Sequence, residues 1–184
     1  MYRGLFRIAA VAALSALLLT ACEKSEAETA AEKAADTIAA WVETQLEANE
    51  DWVASYNGGV VRVTVTAGSG ETLSKDGRAD IYYAGFNFTS GSISSSTLFA
   101  TNIESLATEA GWSLTGVESF DPVTVDLSDD DLVRGLRLGL AGAQAGEVCY
   151  ILFTGEYGFG KKRHGTIPAN AALAYLIEVA GLAD

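Results

Sequence analysis

The spacing of apolar residues changes character several times along the chain. Ile8 to Leu19 is a continuous apolar stretch behind Arg3 and Arg7, too short for the roughly 20 residues a helix needs to cross a bilayer. With Thr20 and Ala21 as small exit residues, it reads as a secretory signal over 1–21. Residues 22–33 hold Glu, Lys and Ala without a large apolar side chain and are expected to form a solvated acidic tether. Ala34, Ile38, Val42 and Leu46 then recur every fourth residue, with Trp41 adjoining. That stripe predicts a helix in an N-terminal extension, 34–56, whose three or so turns suit docking on the following domain better than dimerisation.

Beyond it the period drops to two. Val61, Val63 and Val65 alternate with Arg62 and Thr64, and Gly68-Ser69-Gly70 ends that strand. Ala79–Phe88, Val123–Leu127, Glu147–Phe153 and Ala172–Val179 read as further strands, with a Gly/Ser loop over Thr89–Ser96. Helical spacing returns twice. Ile103, Leu106, Ala107 and Ala110 follow Asn102, an expected N-cap, and Leu132, Val133, Leu136 and Leu140 lie in a helix over Asp131–Leu140. Strands dominate and do not alternate with helices, so the fold class is α+β with an antiparallel sheet.

Composition narrows the function. A chain of 184 residues holds one domain plus an appendage. Acidic residues number 24 against 12 basic, a net charge of −12 that becomes −14 without Arg3 and Arg7. Such a surface repels a phosphate backbone, which argues against nucleic-acid binding. Two Cys and one His argue against a disulfide scaffold and most zinc sites, and no metal or cofactor is expected. Cys149, inside an apolar run, reads as a buried structural thiol. Asp129-Asp130-Asp131 reads as favourable charge at a helix start rather than a cation site. Lys161-Lys162-Arg163-His164 is the one dense positive run, by default a solvated loop. Its functional alternative is attraction of acidic clients or of an anionic membrane.

Two sets of residues carry family resemblances. Leu19-Thr20-Ala21-Cys22 resembles the bacterial lipobox, which implies cleavage before Cys22 and lipid on its sulfur. Further on, four blocks stand in the order of the FKBP-type peptidyl-prolyl isomerases. They are Ile81-Tyr82-Tyr83-Ala84-Gly85; the segment from Asp121-Pro122 to Gly146-Glu147; Tyr157-Gly158-Phe159-Gly160; and Ile167-Pro168-Ala169-Asn170-Ala171-Ala172-Leu173. The chain resembles that family from about Val61 to Val179. The resemblance implies a twisted antiparallel sheet wrapped around a short central helix in a domain over 57–184, with an N-terminal helix and an inserted short helix as additions.

The resemblance also implies a proline pocket. Tyr83 takes the place of the pocket Tyr, Phe99 of the wall Phe, Ile167 of the aliphatic lid and Tyr175 of the last strand's Phe. Val133, beside Leu132, is implied to offer its backbone N–H to the substrate carbonyl. Phe159 stands where the family usually has a hydrogen-bonding Tyr, which leaves Tyr157 as a nearby source of a hydroxyl. Leu136 replaces the floor Trp, Val123 a strand Phe and Ala100 an Asp, so altered depth and turnover are expected. The implied reaction is rotation about X-Pro bonds, assisting the folding of exported proteins. The implied setting is the cell envelope, with a monomer anchored through Cys22 to a bacterial membrane and facing the periplasm or the cell surface. The alternative is a tethered peptide-binding or chaperone-like module that kept the fold and lost turnover.

Overall fold

The computed structural model describes residues 26–114 and 119–183. The signal segment 1–21 and Cys22 lie outside the described residues. Helix α1 (Glu26–Ala48) is followed by strands β1 (Val53–Asn57), β2 (Val60–Thr66), β3 (Ser69–Thr72), β4 (Arg78–Asn87) and β5 (Leu98–Thr101). Helix α2 (Glu104–Glu109), β6 (Val123–Asp126), α3 (Arg134–Leu140), β7 (Gln144–Ala145), β8 (Val148–Phe153) and β9 (Leu173–Ala183) complete the order. Among the described residues, seven strands form one antiparallel sheet, β1-β2-β8-β9-β4-β5, with β6 also on β4; β3 pairs β7 separately.

Strand alternation assigns the two sheet faces. Ile81, Ile151, Phe153, Leu173, Tyr175, Ile177 and Val179 point inward and pack around α3 through Leu136 and Leu140. Val61, Val63, Ala84, Phe86, Leu152 and Ala174 point outward and are covered by Ile38 and Val42 of α1. Trp41 meets Phe88 and Tyr150 edge-on, at ring-centroid distances of 5.9 and 5.3 Å. The predicted stripe on α1 therefore docks on the domain.

Several expectations change. Residues 26–33, expected in the tether, belong to α1, where 28–33 stay exposed; Ala, Glu and Lys favour helix even without packing. Residues 53–56 join the sheet as β1 instead of the helical extension. Gly58 adopts φ +61° in the turn before β2, a conformation glycine reaches freely. Strand β2 ends at Thr66, ahead of Gly68 as expected, and Ser69-Gly70 open a further short strand, β3. The helix expected from Asp131 begins at Arg134. Asp129 folds its side chain back to accept the Asp131 N–H at 2.9 Å, so this acidic run makes a turn that ends before the helix starts.

Asn102 does not cap α2; Ile103 takes the N-cap position. Strand β4 pairs with β6 along Arg78–Ile81 and with β5 from Ala84, leaving a gap at Tyr83. Asn102 fills it. Its Oδ1 accepts the Tyr83 N–H at 2.6 Å, and its Nδ2 donates to the carbonyls of Ile81 and Asp121 at 3.1 and 3.0 Å. The side chain thus stands in for a missing piece of strand. Asn102→Ala is expected to cost about 2–4 kcal/mol, since several backbone groups lose a partner at once; a urea unfolding midpoint checks it.

The predicted stripe Ile103, Leu106, Ala110 packs half-buried against the outer core cluster, so it serves the fold.

Candidate active site

The site lies between α3 and the inner face of the sheet, and small residues make room for it. A Cβ on Gly135 would fall 2.3 Å from Phe153 Cδ1, and one on Gly139 would fall 2.3 Å from Ile151 Cγ2. Both glycines therefore let α3 lie directly on β8. The end of this seven-residue helix is held from the sheet. Arg62 Nη1 donates to the carbonyls of Gly139 and Ala141 at 3.0 and 3.1 Å, and Asn57 Nδ2 donates to Leu138 O at 3.1 Å. Arg62 is in turn held by Glu147, a buried carboxylate that accepts from Thr64 Oγ1 at 3.0 Å and from the Gln144 N–H at 3.1 Å. Arg62 Nε lies 3.3 Å from Glu147 Oε1, an ionic contact without hydrogen-bond alignment.

Gly85 plays the same part on β4. It stands opposite both Ala100 and Tyr175, and a Cβ there would come within 2.7 Å of Phe99 and 2.9 Å of Tyr175. Without one, Phe99 and Tyr175 meet edge to face at 5.7 Å, and Tyr175 stacks on Phe153 at 5.8 Å. The result is a cavity of about 460 Å³, the size of a small-ligand site. Tyr83, Phe99, Phe159 and Tyr175 supply aromatic walls; Val123, Leu132, Leu136 and Ile167 supply aliphatic ones.

Every side chain expected in the pocket is among these, except Val133. Its side chain packs into the core beside the pocket, and its backbone caps α3 between the lining residues Leu132 and Leu136. The Val133 N–H has no acceptor among the described residues. Tyr157 is not in the pocket either. Its ring lies against the Gly58-Gly59 turn, under the Arg134 guanidinium 4.7 Å away, so it supplies no hydroxyl here.

Two hydroxyls are nevertheless present. Neither Tyr83 Oη nor Tyr175 Oη has a hydrogen-bond partner among the described residues, while both side chains line the cavity. Burial, with the Tyr83 phenol nearby, pushes the Tyr175 pKa up, so it stays a neutral donor at physiological pH. By the same physics burial pushes the Cys149 thiol up, which keeps that buried sulfur unreactive.

His164 was missed as a wall. Read in the sequence as the end of a basic loop and not as a metal site, it stacks on Phe159 at 4.6 Å, with the planes 6° apart, and lines the cavity. Such a pair across a Gly/Lys loop leaves no periodic signal. The following loop turns through Asn170 at φ +56°, a left-handed conformation that Asn tolerates better than most residues. Among the described residues no three His, Cys, Asp or Glu side chains gather as metal ligands.

A sheet wrapped on a short helix, with an apolar aromatic slot of about 460 Å³ between them, defines the class of domain. The model of the FKBP-type peptidyl-prolyl cis-trans isomerase family matches residues 70–180, and the chain belongs to that family. FK506-binding protein 1 of Aspergillus oryzae is 25% identical over 121 residues, covering 66% of this chain and 96% of that protein. Among solved structures, the N-terminal domain of FKBP42 from Arabidopsis thaliana superposes with a TM-score of 0.57 at 20% identity, over 73% of this chain and 94% of that one. A peptidyl-prolyl cis-trans isomerase from Pseudomonas syringae pv. tomato gives 0.56 at 15% identity, over 88% and 98%.

Proposed function

We propose that this prolyl isomerase acts on exported proteins in a bacterial envelope, held to a membrane by lipid on Cys22. The observation that carries the chemistry is the aromatic cavity with two unpartnered phenols. A proline ring placed among Tyr83, Phe99, Phe159 and Tyr175 leaves water, which disfavours the charge-separated planar amide and lowers a barrier of about 18–20 kcal/mol. The Val133 N–H and the phenols would hold the twisting carbonyl, an interaction strongest away from planarity. No covalent step is required.

Isomer exchange in a Leu-Pro peptide, followed by NMR with soluble protein starting after Cys22, tests the turnover. Faster exchange supports it; peptide shifts without faster exchange would leave a binder. The envelope setting rests on the Leu19–Cys22 resemblance. Cys22→Ser in the full chain is expected to move the protein from the membrane fraction to the soluble fraction. Membrane association that survives this change would remove the lipid from the proposal.

A further inference from the structure

Nine Lys and Arg fall in the described residues, and three stand together at Lys161, Lys162 and Arg163. Most of the others are neutralised in place. Arg62 faces Glu147, Lys75 Asp76, Arg78 Asp126 and Arg137 Asp130, while Arg134 covers the Tyr157 ring. The three loop cations are exposed, and none pairs with a carboxylate among the described residues; Arg163 Nε donates only to Gly165 O, at 3.0 Å.

Their position gives the exception meaning. The run is bounded by Phe159 and His164, both pocket walls whose rings stack on each other. His164 then exchanges two backbone hydrogen bonds with the lid residue Ile167, at 3.0 and 2.9 Å. A short loop anchored at both ends on pocket walls therefore carries three positive charges that no carboxylate among the described residues neutralises. On the helix side the approach to Leu132 is acidic, through Asp129, Asp130 and Asp131, of which Asp130 holds Arg137. In a chain of net charge −12 the segment leading from Phe159 to the lid is thus basic, while the one leading into Leu132 is acidic.

We propose that the site selects X-Pro segments with Asp or Glu close to the proline, whose carboxylates pair with Lys161, Lys162 and Arg163. This rests on the isomerase reading and names its substrate class. An anionic bilayer could also meet these charges, but the loop that carries them starts and ends on two pocket walls, Phe159 and His164, which favours the peptide.

The test compares two Leu-Pro peptides that differ only in flanking Glu or Gln, measured by NMR exchange with the soluble protein. At low salt the Glu peptide is expected to have a kcat/KM about three- to tenfold higher, from a few exposed ion pairs. The ratio should fall towards one at 1 M salt, where screening acts within about 3 Å. K161E/K162E should reverse the preference, favouring a Lys-flanked peptide; the ordinary amide spectrum of that variant verifies its fold. Acceleration of both peptides without discrimination overturns this inference and leaves the isomerase intact. No acceleration and no binding of either overturns both. Charge-dependent capture by phosphatidylglycerol vesicles, with the peptides treated alike, would reassign the loop to the membrane and overturn the proposal.

Discussion

Tyr83→Ala combined with Phe99→Ala is expected to lower kcat/KM for a Leu-Pro peptide by about 10²- to 10⁴-fold. Each aromatic wall contributes roughly 1.5–3 kcal/mol when an apolar ring is buried against it, and each 1.36 kcal/mol is tenfold in rate. The two residues stand on adjacent strands and close one side of the cavity, with Phe99 edge-on to Tyr175 at 5.7 Å. Removing both opens that side to water, and water restores the planar amide. Tyr83→Phe separates wall from hydroxyl, since it keeps the ring and removes only the donor; a loss of about three- to tenfold is expected. NMR exchange spectra report both, and a native-like amide spectrum shows that the variants fold. Undiminished exchange in the double variant would place catalysis elsewhere.

The second large effect is on stability. Glu147→Ala is expected to cost about 3 kcal/mol, because it leaves the Arg62 guanidinium in a largely buried position without its counter-charge. The damage should extend to the pocket, since Arg62 also binds the carbonyls at the end of α3 and α3 carries Leu136. Guanidinium unfolding measures the loss. Arg62→Met with Glu147→Leu is the control: removing both charges should cost much less than removing one. An equal cost for the two would mean that the charge pair is not what holds this corner.

The parts of this fold written in short-range periods were legible in the sequence. Val61, Val63 and Val65 show their face by a period of two, and α1 shows its docking stripe by a period near four. Family blocks brought Tyr83, Phe99, Leu132, Leu136, Ile167 and Tyr175 to one place. What stayed hidden depends on long-range partners. An Asn ahead of a helix looks the same whether it caps that helix or bridges a broken strand pairing 19 residues away, as Asn102 does. Arg62 and Glu147 are far apart in sequence, so nothing local marks them as a pair. Strands β3 and β7 are too short and too polar to show a period. His164 ends a basic run, and nothing local in that run marks its ring as a flat wall against Phe159.

The seating of α1 sets how far this enzyme could roam. Ile38 is the first fully covered side chain of the helix. A lipid at Cys22, if the proposed anchor holds, would then connect to the sheet through residues 22–25 and about three turns of helix. At about 3.5 Å per extended residue and 1.5 Å per helical one, that leash is about 30 Å. The exposed part of α1 also runs beside the segment after the lid, where Lys33 and Thr37 share a shallow cleft with Pro168 and Asn170. Anchored this way, the pocket would sweep only a thin layer of solvent next to the bilayer. Chains emerging from that membrane would meet it at high local concentration, and proteins already released would rarely do so.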